Sequence, residues 1–134
     1  MYSEIIHQSN HATISINREI KIIYIEWRGF CPGNEFRKIT NFLLNYMPEI
    51  NIYKIINDIS IQNVIPTPDL MYAITKTIEF VRIYGIIKIA FVINDKSIWY
   101  ISVWFFNKKI SDKLEMKINR FFRCANEAEK WLNM

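Results

Sequence analysis

The chain has 134 residues, a length at which one domain can bury a core without a metal or disulfide staple. Hydrophobic residues make up 51% of it, which excludes a disordered segment, while Lys88, Asp95, Lys96 and Lys108 interrupt its most apolar stretch and exclude a membrane-spanning helix. The net charge of +4 would suit an anionic partner, but Lys108, Lys109, Lys113, Lys117, Arg120 and Arg123 are diluted by Asp112 and Glu115, so the basic residues read as a solvated face and no nucleic-acid partner is expected.

Two β-rich runs open the chain, residues 11–16 and 20–27, with Asn17, Arg18 and Glu19 as the turn between them. Gly29 ends the second run, and Pro32 suits the first turn of a helix, where its missing N–H costs nothing. Phe36, Ile39, Leu43 and Met47 recur at helical spacing and predict a buried face, with Pro48 as the stop. Residues 52–56, nearly continuous in apolar side chains and followed by Asn57 and Asp58, predict a central strand covered on both sides.

The next helix is expected to start at Thr67 as N-cap, with Pro68 at the first helical position and Asp69 complementing the dipole. Met71, Ile74, Ile78 and Val81 would form its buried face, and Gly85 its C-terminal cap. Residues 86–93 and 116–122 predict further strands, and residues 126–132 a terminal helix packing through Ala128, Trp131 and Leu132.

Residues 97–110 admit two readings. Trp99, Val103, Phe106 and Ile110 keep helical spacing, whereas Asn94, Asp95 and Lys96 could turn the chain into a strand over residues 98–106. A crossover between parallel strands requires a helix, which favours the first reading. In that helix Trp99 and Phe106 face one way while Tyr100 and Trp104 face another, so a second chain or an apolar ligand is expected to cover the surplus. The fold class that follows is α/β, a single mixed but mainly parallel sheet with an N-terminal hairpin and flanking helices, in one domain over residues 1–134.

Particular residues resemble a known family. Residues 82–99, RIYGIIKIAFVINDKSIW, and residues 119–132, NRFFRCANEAEKWL, are similar to a strand followed by a Trp-bearing helix and to the final strand and EAxxWL ending of the SpoIIAA-like branch of STAS-type regulatory domains. Residues 22–38, IIYIEWRGFCPGNEFRK, resemble that family's strand, glycine and helix entry. The resemblance implies a sheet flanked by helices, related to STAS and CRAL-TRIO folds, and a non-catalytic bacterial regulatory or binding module acting through protein contact or an apolar small molecule. A carrier of lipid or hydrophobic metabolite is the alternative. STAS antagonists carry a phosphorylatable Ser in an Asp-Ser-x-Gly motif at the start of the second helix. The matching stretch here is Pro66, Thr67, Pro68 and Asp69, which leaves Thr67 as the one hydroxyl at a phosphoacceptor position, with helix capping as its plainer role.

The remaining site candidates are few. Asp58 ends a central strand, where α/β folds place functional carboxylates, but no His, Lys or second carboxylate accompanies it at a telling spacing. Together with Trp99, Tyr100 and Trp104 it is a candidate for ligand or partner binding. Cys31 stands near a helix start without a base that the sequence can place, so a buried structural thiol is expected. His7 and His11 are four apart in a strand or loop, where that spacing does not bring them together, and the three glycines match no phosphate-loop fingerprint. No enzyme, metal or cofactor is expected. The opening residues, with Glu4 and no long apolar run, suggest no signal peptide, and with two widely separated cysteines they predict a cytoplasmic, reduced protein.

Overall fold

The computed structural model describes residues 2–62, 65–85, 87–94, 108, 109, 112, 113 and 119–134. Among the described residues six strands, β1 (Glu4–Gln8), β2 (Ala12–Asn17), β3 (Ile22–Gly29), β4 (Lys54–Gln62), β5 (Lys88–Val92) and β6 (Asn119–Phe122), form one sheet in sequential order. β1, β2 and β3 pair antiparallel, and β3 through β6 pair parallel. The α/β class and the mixed sheet agree with the expectation, and β1 is an addition to it. No helix among the described residues is long and apolar enough to cross a membrane.

The turn between β2 and β3 is held by Asn17, whose Oδ1 accepts the N–H groups of Glu19 at 3.0 Å and Ile20 at 3.3 Å. Beyond it, the alternation along β2 decides the sides of the sheet. Ala12, Ile14 and Ile16 are buried toward one face with Ile23, Ile25 and Trp27 of β3, while Thr13 and Ser15 turn to the other. A one-residue slip would exchange the two sets, so burial of these isoleucines fixes the register of Ile14 opposite Ile25.

Helices α1 (Gly33–Ile50) and α2 (Thr67–Tyr84) connect β3 to β4 and β4 to β5. Because successive parallel strands are also spatial neighbours and crossovers keep one hand, both helices fall on the same face, and they share a core with Ile55, Ile59, Ile89 and Phe91. A third helix, α3 (Ala125–Leu132), covers the opposite face, where Ala128 and Leu132 bury against Ile22, Ile56, Ala90 and Val92. Trp131 is partly buried there, its ring 5.7 Å from that of Phe122 and under the Lys88 ammonium at 4.9 Å.

Phe36, Ile39, Leu43 and Met47 are the buried residues of α1, as their spacing predicts. Pro48, however, does not stop the helix, which continues to Ile50. In the last turn a missing N–H forfeits one backbone bond, and the real terminator is Asn51, left-handed at φ 56°, with its N–H at 3.3 Å from the Pro48 carbonyl. On α2 the buried face includes Leu70, Ala73, Ile74, Thr77, Ile78, Phe80 and Val81, but Met71 is exposed, one position off the stripe. Gly85 does close the helix, its N–H bonding the Val81 carbonyl at 2.8 Å. β4 runs farther than the apolar run 52–56, because Asp58 and Ser60 satisfy each other within it.

Asn119 is fully buried beside Ile89, and among the described residues neither its Oδ1 nor its Nδ2 finds a hydrogen-bond partner. An unmet buried amide opposes folding, so Asn119→Leu, which keeps the branched shape and removes the polar atoms, should stabilise the protein by about 1–3 kcal/mol. A higher denaturant midpoint at unchanged m value would report that gain, and a lower midpoint would show that the amide holds a partner.

Candidate functional site

β4 carries polar side chains on both faces of the sheet. On the α1 and α2 side, Asn57 stands between Ile55 and Ile59 and accepts the indole N–H of Trp27 at 2.9 Å. Since indole nitrogen only donates, Asn57 Oδ1 faces Trp27, and its Nδ2 is left as a donor with no hydrogen bond to another described residue. Asn57 and Trp27 line a cavity of about 80 Å³ between the sheet and the two helices. Phe36 and Leu43 of α1, Ala73 and Thr77 of α2, and Ile89 and Phe91 of β5 complete most of its wall. The hydroxyls of Thr40 and Thr77 are spent on the carbonyls of Phe36 and Ala73 in the preceding turns, so the lining offers little polarity besides Asn57.

On the opposite face, Asp58 is buried and fully engaged. Tyr24 donates its hydroxyl to Oδ2, while Oδ1 accepts the Ser60 hydroxyl at 2.6 Å and the Ser60 N–H at 3.1 Å. Burial first, then the hydrogen bond to Asp58 and its charge, push the Tyr24 phenol well above its usual range. Tyr24 therefore stays a donor, and this cluster holds protons in place without an evident path for transferring them. Asp58 does not end the strand, since β4 continues to Gln62, and its carboxylate is taken up by a local bond pair with Ser60 plus one cross-strand bond from Tyr24.

A third grouping lies at the start of α1. His11 precedes β2, Cys31 follows β3, and Glu35 sits in the first turn of α1; one donor atom from each lies within 4.8 Å of the other two. His11 Nδ1 donates to Glu35 Oε2 at 2.8 Å, since a carboxylate only accepts. Although burial resists ionisation of Glu35, hydrogen bonds from His11 and Ser9 and the nearby His11 and His7 rings outweigh it and lower its pKa. Burial, then the negative charges of Glu35 and Asp69, push the Cys31 thiol up to about 11. A thiol so placed is a poor nucleophile at neutral pH.

Asp69 belongs to the same neighbourhood. Its carboxylate bonds Arg37 at 2.9 Å and lies so close to Gly33 that a Cβ there would meet Oδ2 at 2.7 Å. Glycine at 33 is what allows α1 to start against α2.

Thr67 does not cap α2. Pro66 holds the N-cap position, Thr67 is the first helical residue and is exposed, and the Pro66 carbonyl takes the N–H groups of Asp69 and Leu70, both at 3.0 Å, which a Thr67 cap would have needed. Trp99, Tyr100 and Trp104, and with them the helix-or-strand question over residues 97–110 apart from 108 and 109, lie outside the described residues. The structure thus keeps Cys31 and Asp58 as buried, bonded groups and places them on different sides of the sheet. Reading the residues in order missed Asn57 as a cavity residue and missed the approach of His11 to Cys31 and Glu35. An Asn inside an apolar run was the available signal for the first. No protein-family model matches the chain, and searches of curated proteins and of solved structures return no match.

Two outcomes follow from these positions. A thiol reagent at pH 7 should modify exposed Cys124 readily and Cys31 about two to three orders of magnitude more slowly than an ordinary thiol; mass mapping of the labelled protein after a time course decides it. Thr67→Ala should change unfolding free energy by less than about 0.5 kcal/mol, because an exposed side chain without a cap bond is lost, and a loss near 1 kcal/mol would restore the capping role.

Proposed function

We propose that the chain is a non-catalytic binding module that takes up a small apolar molecule between its sheet and helices α1 and α2. The observation that carries this reading is the cavity itself. Protein interiors rarely leave voids larger than a water molecule, yet here about 80 Å³ remains in the main core, walled by aliphatic and aromatic side chains with one amide donor at Asn57. Such lining is poor for water, which needs two or more polar partners, and suits an apolar ligand bearing a single acceptor oxygen. The volume falls well below the roughly 300–1,000 Å³ of a typical ligand pocket, which weighs against the carrier of lipid chains and toward a ligand of a few heavy atoms.

The resemblance to the SpoIIAA-like and STAS-like family is part of the same proposal. Sequential strand order with both crossover helices on one face is compatible with it, and a regulatory module needs a binding event without chemistry. Asp58 and Cys31 support the absence of catalysis in this reading: the first is consumed by Tyr24 and Ser60, the second is held protonated.

A homologous series of short ketones, from acetone upward, provides the test. The thermal unfolding midpoint should rise as the ketone lengthens and then level once the cavity is full, with about 2.7 kcal/mol of added stability at a hundredfold excess over the dissociation constant. Ala73→Leu, which fills the space from α2, should keep the fold and abolish the response. A response equal in Ala73→Leu and the unaltered chain, or none from any ketone, refutes the proposal.

A further inference from the structure

We propose that His11, Cys31 and Glu35 form a binding site for a borderline divalent cation of the Zn²⁺ class. The site is independent of the cavity reading. It draws on three segments that the fold brings together: the turn before β2, the second residue after the strand end at Gly29, and the first turn of α1.

The distances are close to those a bound ion requires. Zn²⁺ holds sulfur at about 2.3 Å and nitrogen or oxygen at about 2.0–2.2 Å, which sets tetrahedral donor atoms about 3.3–3.6 Å apart. Here one donor atom from each residue lies within 4.8 Å of the others, and His11 Nδ1 is 2.8 Å from Glu35 Oε2. Adjustments of about 1 Å, mostly side-chain rotations, would complete the coordination. In doing so the hydrogen bond between His11 and Glu35 is exchanged for two bonds to the ion.

The backbone around the three ligands is already fixed. Ser9 closes the turn that carries His11, its Oγ accepting the N–H groups of His11 at 3.3 Å and Ala12 at 3.2 Å. The Arg28 N–H bonds the His11 carbonyl at 2.8 Å, and the Arg28 guanidinium bonds the Ser9 carbonyl at 2.7 Å. Glu35 is held by the helix, and Cys31 is buried against the core. Ligands on fixed supports lose little freedom when an ion binds.

Donor chemistry selects the ion. One thiolate, one imidazole and one carboxylate favour Zn²⁺, Co²⁺, Ni²⁺ or Cu²⁺ over the oxygen-seeking Mg²⁺ and Ca²⁺. Three protein ligands leave a fourth position for water or an exogenous ligand. On neighbouring β1, His7 Nε2 is buried without a hydrogen-bond partner among the described residues.

The experiment is a titration of tag-free, full-length protein with Zn²⁺ by calorimetry, and with Co²⁺ by absorbance. One equivalent per chain is expected, with a thiolate-to-cobalt charge-transfer band that Cys31→Ser abolishes. His11→Gln and Glu35→Gln should each weaken Zn²⁺ binding at least roughly tenfold with the circular dichroism unchanged, and Cys124→Ser should bind as the unaltered chain does. Should Cys31→Ser fail to fold, the His11→Gln and Glu35→Gln affinities decide alone. No saturable binding at millimolar Zn²⁺, a charge-transfer band lost in Cys124→Ser, or affinity unchanged in both His11→Gln and Glu35→Gln overturns the site.

Discussion

Strand β4 is covered by helices on both of its faces, so each polar side chain along it must find a partner within the fold or leave a defect. Asp58 does so completely, with three donors from Tyr24 and Ser60. Asn57, one residue earlier and on the other face, does so by half, because Trp27 uses only its oxygen. The unequal outcome distinguishes the two sides of the sheet. A satisfied carboxylate makes a rigid, closed cluster, whereas an amide with an unused donor in an apolar surround makes a place where a polar atom of a ligand would be received. Both consequences depend on the parallel register that sets Ile25 opposite Asn57 and Glu26 opposite Asp58. A shift by one residue would put Asp58 into the cavity wall with no donor beside it.

The start of α1 depends on a second close fit. Gly33 lets the Asp69 carboxylate lie against the α1 backbone, and Arg37, one turn along, neutralises that carboxylate from the same helix. The two helices are thereby joined at the end where Cys31 and Glu35 stand, next to the His11 turn. Since Phe36, Thr40, Leu43 and Leu44 of α1 also line the cavity, the helix that carries the polar grouping at its start carries the apolar wall along its length.

Periodicity made much of this legible before any coordinates. The stripe Phe36, Ile39, Leu43 and Met47 has a 3.6-residue repeat that only one helix face can bury, and the alternation of Thr13 and Ser15 with Ile14 and Ile16 marks β2 as a strand. Signals that depend on one residue fared less well. Proline breaks helix interiors, which makes Pro48 a stop signal, yet within a final turn it removes one bond and the left-handed Asn51 ends the helix. Thr67 is a cap by residue type, but the proline before it supplies the carbonyl that takes the same N–H groups. Contacts between distant segments were beyond reach altogether. His11 and Glu35 are separated by 24 positions, and nothing in their local spacing records that the β2–β3 hairpin and the turn into α1 bring them within hydrogen-bond distance.

The surroundings of Cys31 bear on both readings of that residue, and with opposite sign. Two carboxylates, Glu35 and Asp69, add to burial in keeping the thiol protonated, which removes the thiolate a nucleophile would need. Negative potential that opposes an anion at sulfur attracts a cation to the same point. A divalent ion would become the largest local charge, and under it the thiol ionises as a ligand although it resists doing so alone. Arg37 already balances Asp69 through a direct ion pair, so the charge left for an incoming cation is chiefly that of Glu35, which its partners hold ionised. The same arrangement that makes Cys31 unsuited to covalent chemistry therefore suits it to coordination.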